Sequence, residues 1–377
     1  MIQYKNLISY LFAFLLLTYY SFNNTQVMLN GTIFQIILIT MGFLFFLSLF
    51  IQTFTVKEIT VYLLFFFLGI ISYLNNHSTL FIILAFSLPV FRLSSIKQLL
   101  YFFIIYRSIF IFLIILLSLV GILTNDNRII YKSNIVNAVN TYSLGFNHPN
   151  QLAQAVGTLL LIMFLLLLKN KNALLIKSFF GSIIIFLFYG LTRSRTFFIC
   201  CTLALIVGII QWFPFLGKIT KWVKKGYIWV ELIIILFGLI LPGIFKNITS
   251  LPFINLLDQM TSGRLSFSAS VFNNYPLTLF GTNFDNGFTE LQHVYGLGKY
   301  AVDNGYIYFF FTYGLLGTIV YFVMLTISIK RLLSSKQYYF TWIILIISVW
   351  GLFENIVWLP MLNISLLLWA QVLSKNK

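Results

Sequence analysis

The sequence is poor in charge. Only 8% of its 377 residues are charged, and acids are the scarcer sign, eight Asp and Glu against 24 Lys and Arg. A soluble globular chain is roughly 25% charged, so a set of water-soluble domains is excluded. Cysteine is nearly absent, and the two present, Cys200 and Cys201, sit side by side in an apolar run. That excludes a disulfide framework and a cysteine-based metal site. Three histidines far apart in sequence leave no haem or copper cluster to build. There is no Walker-type phosphate loop, no HExxH and no GxSxG, and no Asp-x-Asp pair of the kind that holds a metal in sugar transferases. Any transfer chemistry is therefore expected to need no metal or cofactor and to rely on arginine electrostatics.

What the chain has in abundance is apolar surface: 60% hydrophobic and 19% aromatic residues, with a mean hydropathy of +0.96. Apolar runs recur from residue 7 to residue 373, which also excludes a soluble domain on a single anchor. A spanning helix needs about 20 apolar residues. Reading between polar breaks gives about twelve runs, near 6–22, 31–51, 59–74, 79–91, 99–123, 150–168, 178–192, 196–213, 227–245, 304–329, 338–354 and 359–374. The first is followed by no small-residue cleavage site, so it reads as a retained span. The expected fold is an all-α polytopic membrane protein, one integral membrane domain over 1–377.

Lysine and arginine set the sides. With the N-terminus in the cytoplasm, Lys5, Lys57, Arg92, Lys97, Lys169, Lys171, Lys177, Lys218, Lys221, Lys224, Lys225, Lys330, Arg331, Lys336, Lys375 and Lys377 fall inside. Arg128, Lys132, Arg193, Arg195, Lys246, Arg264 and Lys299 fall outside, and Arg107 lies within the fifth run. Both termini are thus expected to be cytoplasmic. The apolar stretch between the Lys177 and Lys218 ends would measure about 54 Å as one helix, far beyond a core of about 30 Å. It must fold back, and its polar break is Thr192-Arg193-Ser194-Arg195-Thr196. The formal charge of +16 is mostly this topological signal and does not point to nucleic acid.

Residues 246–303 form a large extracytoplasmic loop between the ninth and tenth spans. It mixes Leu, Phe and Tyr with Asp258, Arg264, Asp285, Glu290 and Asp303, a content that argues against disorder. One or two short helices are expected in it, packed over the outer end of the bundle, with Gly281, Gly287, Gly296 and Gly298 supplying turns.

Several polar residues each carry two readings. Arg193 and Arg195 either grip a membrane-bound pyrophosphate through the planar guanidinium fork or snorkel to the headgroups. Arg264, in Thr261-Ser262-Gly263-Arg264-Leu265, either flanks a helix N-terminus as an anion site or pairs with Asp258. Asp303, in Val302-Asp303-Asn304-Gly305-Tyr306, is either a partly desolvated general base or a helix N-cap. His148, Asn147 and Asn150, in Asn147-His148-Pro149-Asn150, either bond a sugar or phosphate or form a polar cap on the sixth span. Arg107, costly at a helix centre, is expected near the cytoplasmic end of its helix, the alternative being a polar cavity. Glu354 and Asn355 are expected to face water at the end of the eleventh run.

Taken in order, His148-Pro149-Asn150, Arg193-Ser194-Arg195, Ser262-Gly263-Arg264 and Asp303-Asn304-Gly305-Tyr306, followed by Tyr313-Gly314-Leu315-Leu316-Gly317, resemble the motifs of the O-antigen ligase and Wzy-type polysaccharide polymerase family. The resemblance covers residues 140 to 370. It implies a membrane glycosyltransferase that joins undecaprenyl-pyrophosphate-linked oligosaccharides at the outer face of the cytoplasmic membrane, in capsule or exopolysaccharide synthesis. Its partners would be those lipids, the bilayer, and chain-length regulator and flippase proteins. It further implies that Asp303, Arg264 and Arg193 act in catalysis, and that Arg195, His148, Asn150, Asn304 and Tyr306 bind pyrophosphate or glycan. Ligases of this family usually carry a histidine where Asp303 stands, a departure that favours polymerase over ligase. The rival from another class is a flippase or transporter for lipid-linked glycans, which would concentrate polar groups at the bilayer midplane in broken helices.

Overall fold

The computed structural model describes residues 2–27, 29–124, 128–130, 139–168, 171–212, 226, 229, 233–234, 236–245, 255–256, 258, 264–283 and 303–373. They are overwhelmingly helical: α1 (Ile2–Ser21), α2 (Gly31–Ile51), α3 (Val56–Asn76), α4 (Leu80–Phe91), α5 (Ile96–Leu119), α6 (Pro149–Leu167), α7 (Leu174–Thr192) and α8 (Arg195–Ile210). A π-helical turn at Leu236–Ile240 runs into α9 (Leu241–Phe245), followed by α10 (Arg264–Asn274), α11 (Gly305–Ser334), α12 (Tyr338–Trp350) and α13 (Ser365–Leu373). Six of them, α2, α3, α5, α6, α7 and α11, are long and apolar enough to cross a membrane. α10 is a short helix within residues 246–303. A two-stranded antiparallel ladder joins β1 (Arg128–Ile130) to β2 (Val139–Thr141) between the fifth and sixth apolar runs, an element the runs did not announce.

Several of the helices start where a side chain satisfies free N–H groups of the first turn, which lipid cannot do. Thr55 with Glu58, and Ser95 with Gln98, form reciprocal capping boxes on α3 and α5. Asn30, Ser194 and Asn304 cap α2, α8 and α11. α6 lies innermost, packed on α5, α7, α8 and α12, while α4 lies among α2, α3 and α13. Trp350 and Trp369 are fully buried between these groups.

Two departures from helix matter for the site. α11 breaks at Gly314 (φ 71°, ψ −175°). Segment 278–282 lies across the break, with Leu315 N–H donating to Thr278 O at 3.0 Å, Leu316 N–H to Leu279 O at 3.1 Å and Thr282 N–H to Phe311 O at 2.8 Å. The backbones come so close at Gly281 and Gly314 that a Cβ on either would collide with the other segment. Between α12 and α13, residues 351–364 are non-helical, a break that reaches well into both the eleventh and twelfth runs beyond the 355–358 gap between them. Asn363 organises this stretch, donating to Val357 O at 2.7 Å and accepting from the Ser365 N–H at 3.1 Å.

Arg107 is not near a helix end. It is in the middle of α5 and 2% exposed, donating from Nη1 to Met361 O (2.7 Å) and from Nη2 to Ala155 O (2.6 Å) and Thr158 Oγ1 (2.9 Å). A central arginine costs about 2.5–3.5 kcal/mol on insertion scales. Charge-assisted hydrogen bonds contribute about 1.5–3 kcal/mol each, so three offset that cost.

Candidate functional site

The start of α6, the α7–α8 turn, the start of α11 and the turn after α12 meet at one end of the bundle, the site end. Their approach depends on Gly305. Its N–H donates to Gly351 O at 2.9 Å, and a Cβ there would lie 2.9 Å from Val357 Cγ2 and 3.0 Å from Glu354 O. Any side chain at 305 would therefore push the turn after α12 away from the start of α11.

Across this close approach lie two carboxylates and one guanidinium. Arg264, first residue of α10, donates from Nε to Asp303 Oδ2 at 3.0 Å and from Nη2 to Glu354 Oε1 at 3.5 Å. α10 holds it in place from two directions. Asp258 Oδ1 accepts the Ser266 N–H at 2.9 Å, capping the first turn. Farther along, Phe272 meets Phe311 edge-on, with 5.1 Å between ring centroids. The Arg264–Asp258 ion pair considered from sequence is thus replaced by Asp258 as a backbone cap and Arg264 as a bridge.

Glu354 is buried, which overturns the expectation that it faces water. Its Oε2 accepts from Gln154 Nε2 at 2.8 Å, and its Oε1 from Thr196 Oγ1 at 3.0 Å. Asn355 is also engaged, accepting from Trp358 Nε1 at 2.6 Å. Burial pushes the Glu354 carboxyl up to about 7, and the charge of Asp303 adds to the rise; Arg264, Gln154 and Thr196 oppose it. Asp303, with about a third of its side chain exposed, is also raised by burial and pulled back by Arg264. The cluster therefore pairs a partly exposed carboxylate with a buried one, both raised by burial, and one arginine joins them. Such a pair can take a proton from one group and store it on another.

No protein-family model, characterised protein or solved structure matches this chain. The chemistry of the cluster rests on its own side chains.

The remaining sequence candidates divide sharply. Arg193 and Arg195 are exposed. Arg193 closes α7 in the left-handed conformation (φ 54°) and Arg195 opens α8, with Ser194 capping between them. Among the described residues neither guanidinium has an ion pair. The next residue, Thr196, reaches Glu354, so the turn borders the cluster. His148 caps α6 through Nδ1, which accepts the Asn150 N–H at 3.0 Å. Asn304 is buried, accepting the N–H groups of Tyr306 (3.0 Å) and Ile307 (3.3 Å) and donating to Gly238 O at 3.0 Å. Tyr306 is 2% exposed and donates to Ser348 O at 2.8 Å. Asn304 and Tyr306 thus hold the entry to α11, and their polar groups point into the protein.

Sequence reasoning missed Glu354, Gln154 and Thr196 as members of the site. Glu354 carries the one signal that could have found it: an acid closing an otherwise apolar run is costly unless paired.

Proposed function

We propose that this chain is a polymerase that joins undecaprenyl-pyrophosphate-linked oligosaccharide repeat units at the outer face of the cytoplasmic membrane, by metal-independent glycosyl transfer. The observation that supports it is Arg264 bridging Asp303 and Glu354, beside the exposed Arg193 and Arg195, which have no ion pair among the described residues. In this reading the growing chain on undecaprenyl pyrophosphate is the donor. A hydroxyl of the next lipid-linked unit attacks the anomeric carbon. The new C–O bond forms as the bond to pyrophosphate breaks, and the lipid pyrophosphate leaves with the electron pair. Asp303, the accessible carboxylate, takes the hydroxyl proton. Arg193 and Arg195 hold the pyrophosphate and stabilise its developing charge. Arg264 orients Asp303 and balances the carboxylates.

Purified protein supplied with lipid-linked repeat units should produce a ladder of chain lengths. Arg264→Ala should abolish the ladder while protein remains in the membrane; wild-type chain lengths from that variant would sink the assignment. A flippase is the second reading, favoured by Arg107 deep in the bundle and by the helix break at Gly314. The bonds of Arg107 go to protein carbonyl and hydroxyl groups, which suits a tie better than a translocation path. Movement of the lipid without elongation in the same assay would select the flippase, and neither outcome would leave a non-catalytic lipid-binding scaffold.

A further inference from the structure

We infer that Arg107 is the positioning residue of the carboxylate cluster: from the middle of the bundle it clamps segment 351–364 onto α6, and so holds Glu354 against Gln154 and Arg264. The segment meets α6 through polar ties at two levels. At the site end Gln154 donates to Glu354. One turn deeper, Arg107 donates to Met361 O on the segment and to Ala155 O and Thr158 Oγ1 on α6. Gln154 and Thr158 stand four residues apart on one face of the helix. The Thr158 hydroxyl also donates to Gln154 O at 2.7 Å, so hydrogen bonds run unbroken from the guanidinium to the peptide that carries Gln154.

The choice of arginine follows from the geometry. A non-helical carbonyl such as Met361 O, deep among apolar helices, needs a donor that water cannot supply there. A planar fork can serve that carbonyl from one nitrogen and α6 from another, where an ammonium is a single point. Among the described residues, the groups facing Glu354 are Asp303 and Arg264 from the entry to α11 and from α10, Gln154 from α6, and Thr196 and Cys200 from α8. Arg107 is not among them, so its influence travels through the backbone it holds. This inference does not depend on the polymerase reading.

The test is an infrared pH titration of the full-length protein in nanodiscs, following the carboxylic-acid C=O band that Glu354→Gln removes. In Arg107→Gln the midpoint of that band should fall by about 1, a tenfold weaker hold on the proton, because the loosened segment admits water. Loss of a positive charge by itself would raise the midpoint, so the sign separates loosening from electrostatics. Arg107→Lys should give an intermediate value, and Thr158→Val a smaller fall in the same direction. An unchanged or raised midpoint in both Arg107→Gln and Thr158→Val would overturn the inference. If Arg107→Gln does not accumulate in the membrane, Thr158→Val decides alone. A merely structural arginine would lower yield without moving the midpoint. Failure of the wild type to make a glycan ladder would end the functional reading and leave this one standing.

Discussion

α6 and α7 are neighbours of equal length, both long and apolar enough to cross a membrane. Yet 72% of the most apolar stretch of α6 is buried in protein, against 17% for α7. Hydropathy does not separate them; side-chain size and polarity do. α6 carries Ala153, Gln154, Ala155, Gly157 and Thr158 within two turns, interrupted only by Val156, whereas α7 presents Phe179, Phe180, Phe186 and Leu187 outward. Small residues let helices approach where lipid offers no hydrophobic incentive to pack. The groups that reach the carboxylate cluster and Arg107 ride on the helix so enclosed. In a chain this apolar, the polar cluster is reached from the helix whose residues are small, and the large apolar residues face outward.

The largest test of that contrast is at Gly157. A Cβ there would overlap the Trp350 ring and lie 2.7 Å from Phe197 Cδ2. Gly157→Leu should lose about 3 kcal/mol or more, read as loss of the folded species in fluorescence-detected size exclusion, because neither ring has room to retreat. Normal accumulation would mean that α6 is less enclosed than described. The second test is pH-dependent. Glu354 holds its proton more tightly in the folded protein than the ordinary value of 4.5, up to about 7. Stability linked to this group is therefore complete at low pH and is lost as pH rises from 4.5 to about 7, levelling off above. Glu354→Gln should remove that decline from the thermal midpoint measured across the range; parallel curves for variant and wild type would place the titration elsewhere. The smallest effect belongs to α7. Gly190, exposed and with nothing near its missing side chain, should accept alanine with a change within about 1 kcal/mol, on the stabilising side. Clear destabilisation in a thermal melt would show that α7 is covered by something other than lipid.

Much of the fold was legible because an apolar run and a helix in lipid obey the same length rule. α2 matches its run end for end, and α4, α6 and α7 differ from theirs by a few residues. The rule fails where burial and helicity part company. Residues 351–364 are apolar enough to be inside, but Pro360 and the Asn363 side chain favour turns over helix, and hydropathy cannot see the difference. Arg107 was misplaced for a related reason: the carbonyl that makes its central position tolerable lies 254 residues away. The site was legible in part. Arg264 and Asp303 were singled out separately, and only the fold joins them. Glu354 was set aside as solvated because Gln154, 200 residues earlier in the chain, is invisible as its partner. Asn304 and Tyr306 stand in the sequence motif, but their hydrogen bonds hold α11 in place.

The strand-like crossing at Gly281 and Gly314 and the carboxylate beside Arg264 share one support. Thr282 is fastened to Phe311 O within α11, and Asp303 lies two residues before the first residue of the same helix. The first two turns of α11 therefore act as a common post, and any displacement of that post moves the crossing and the carboxylate together.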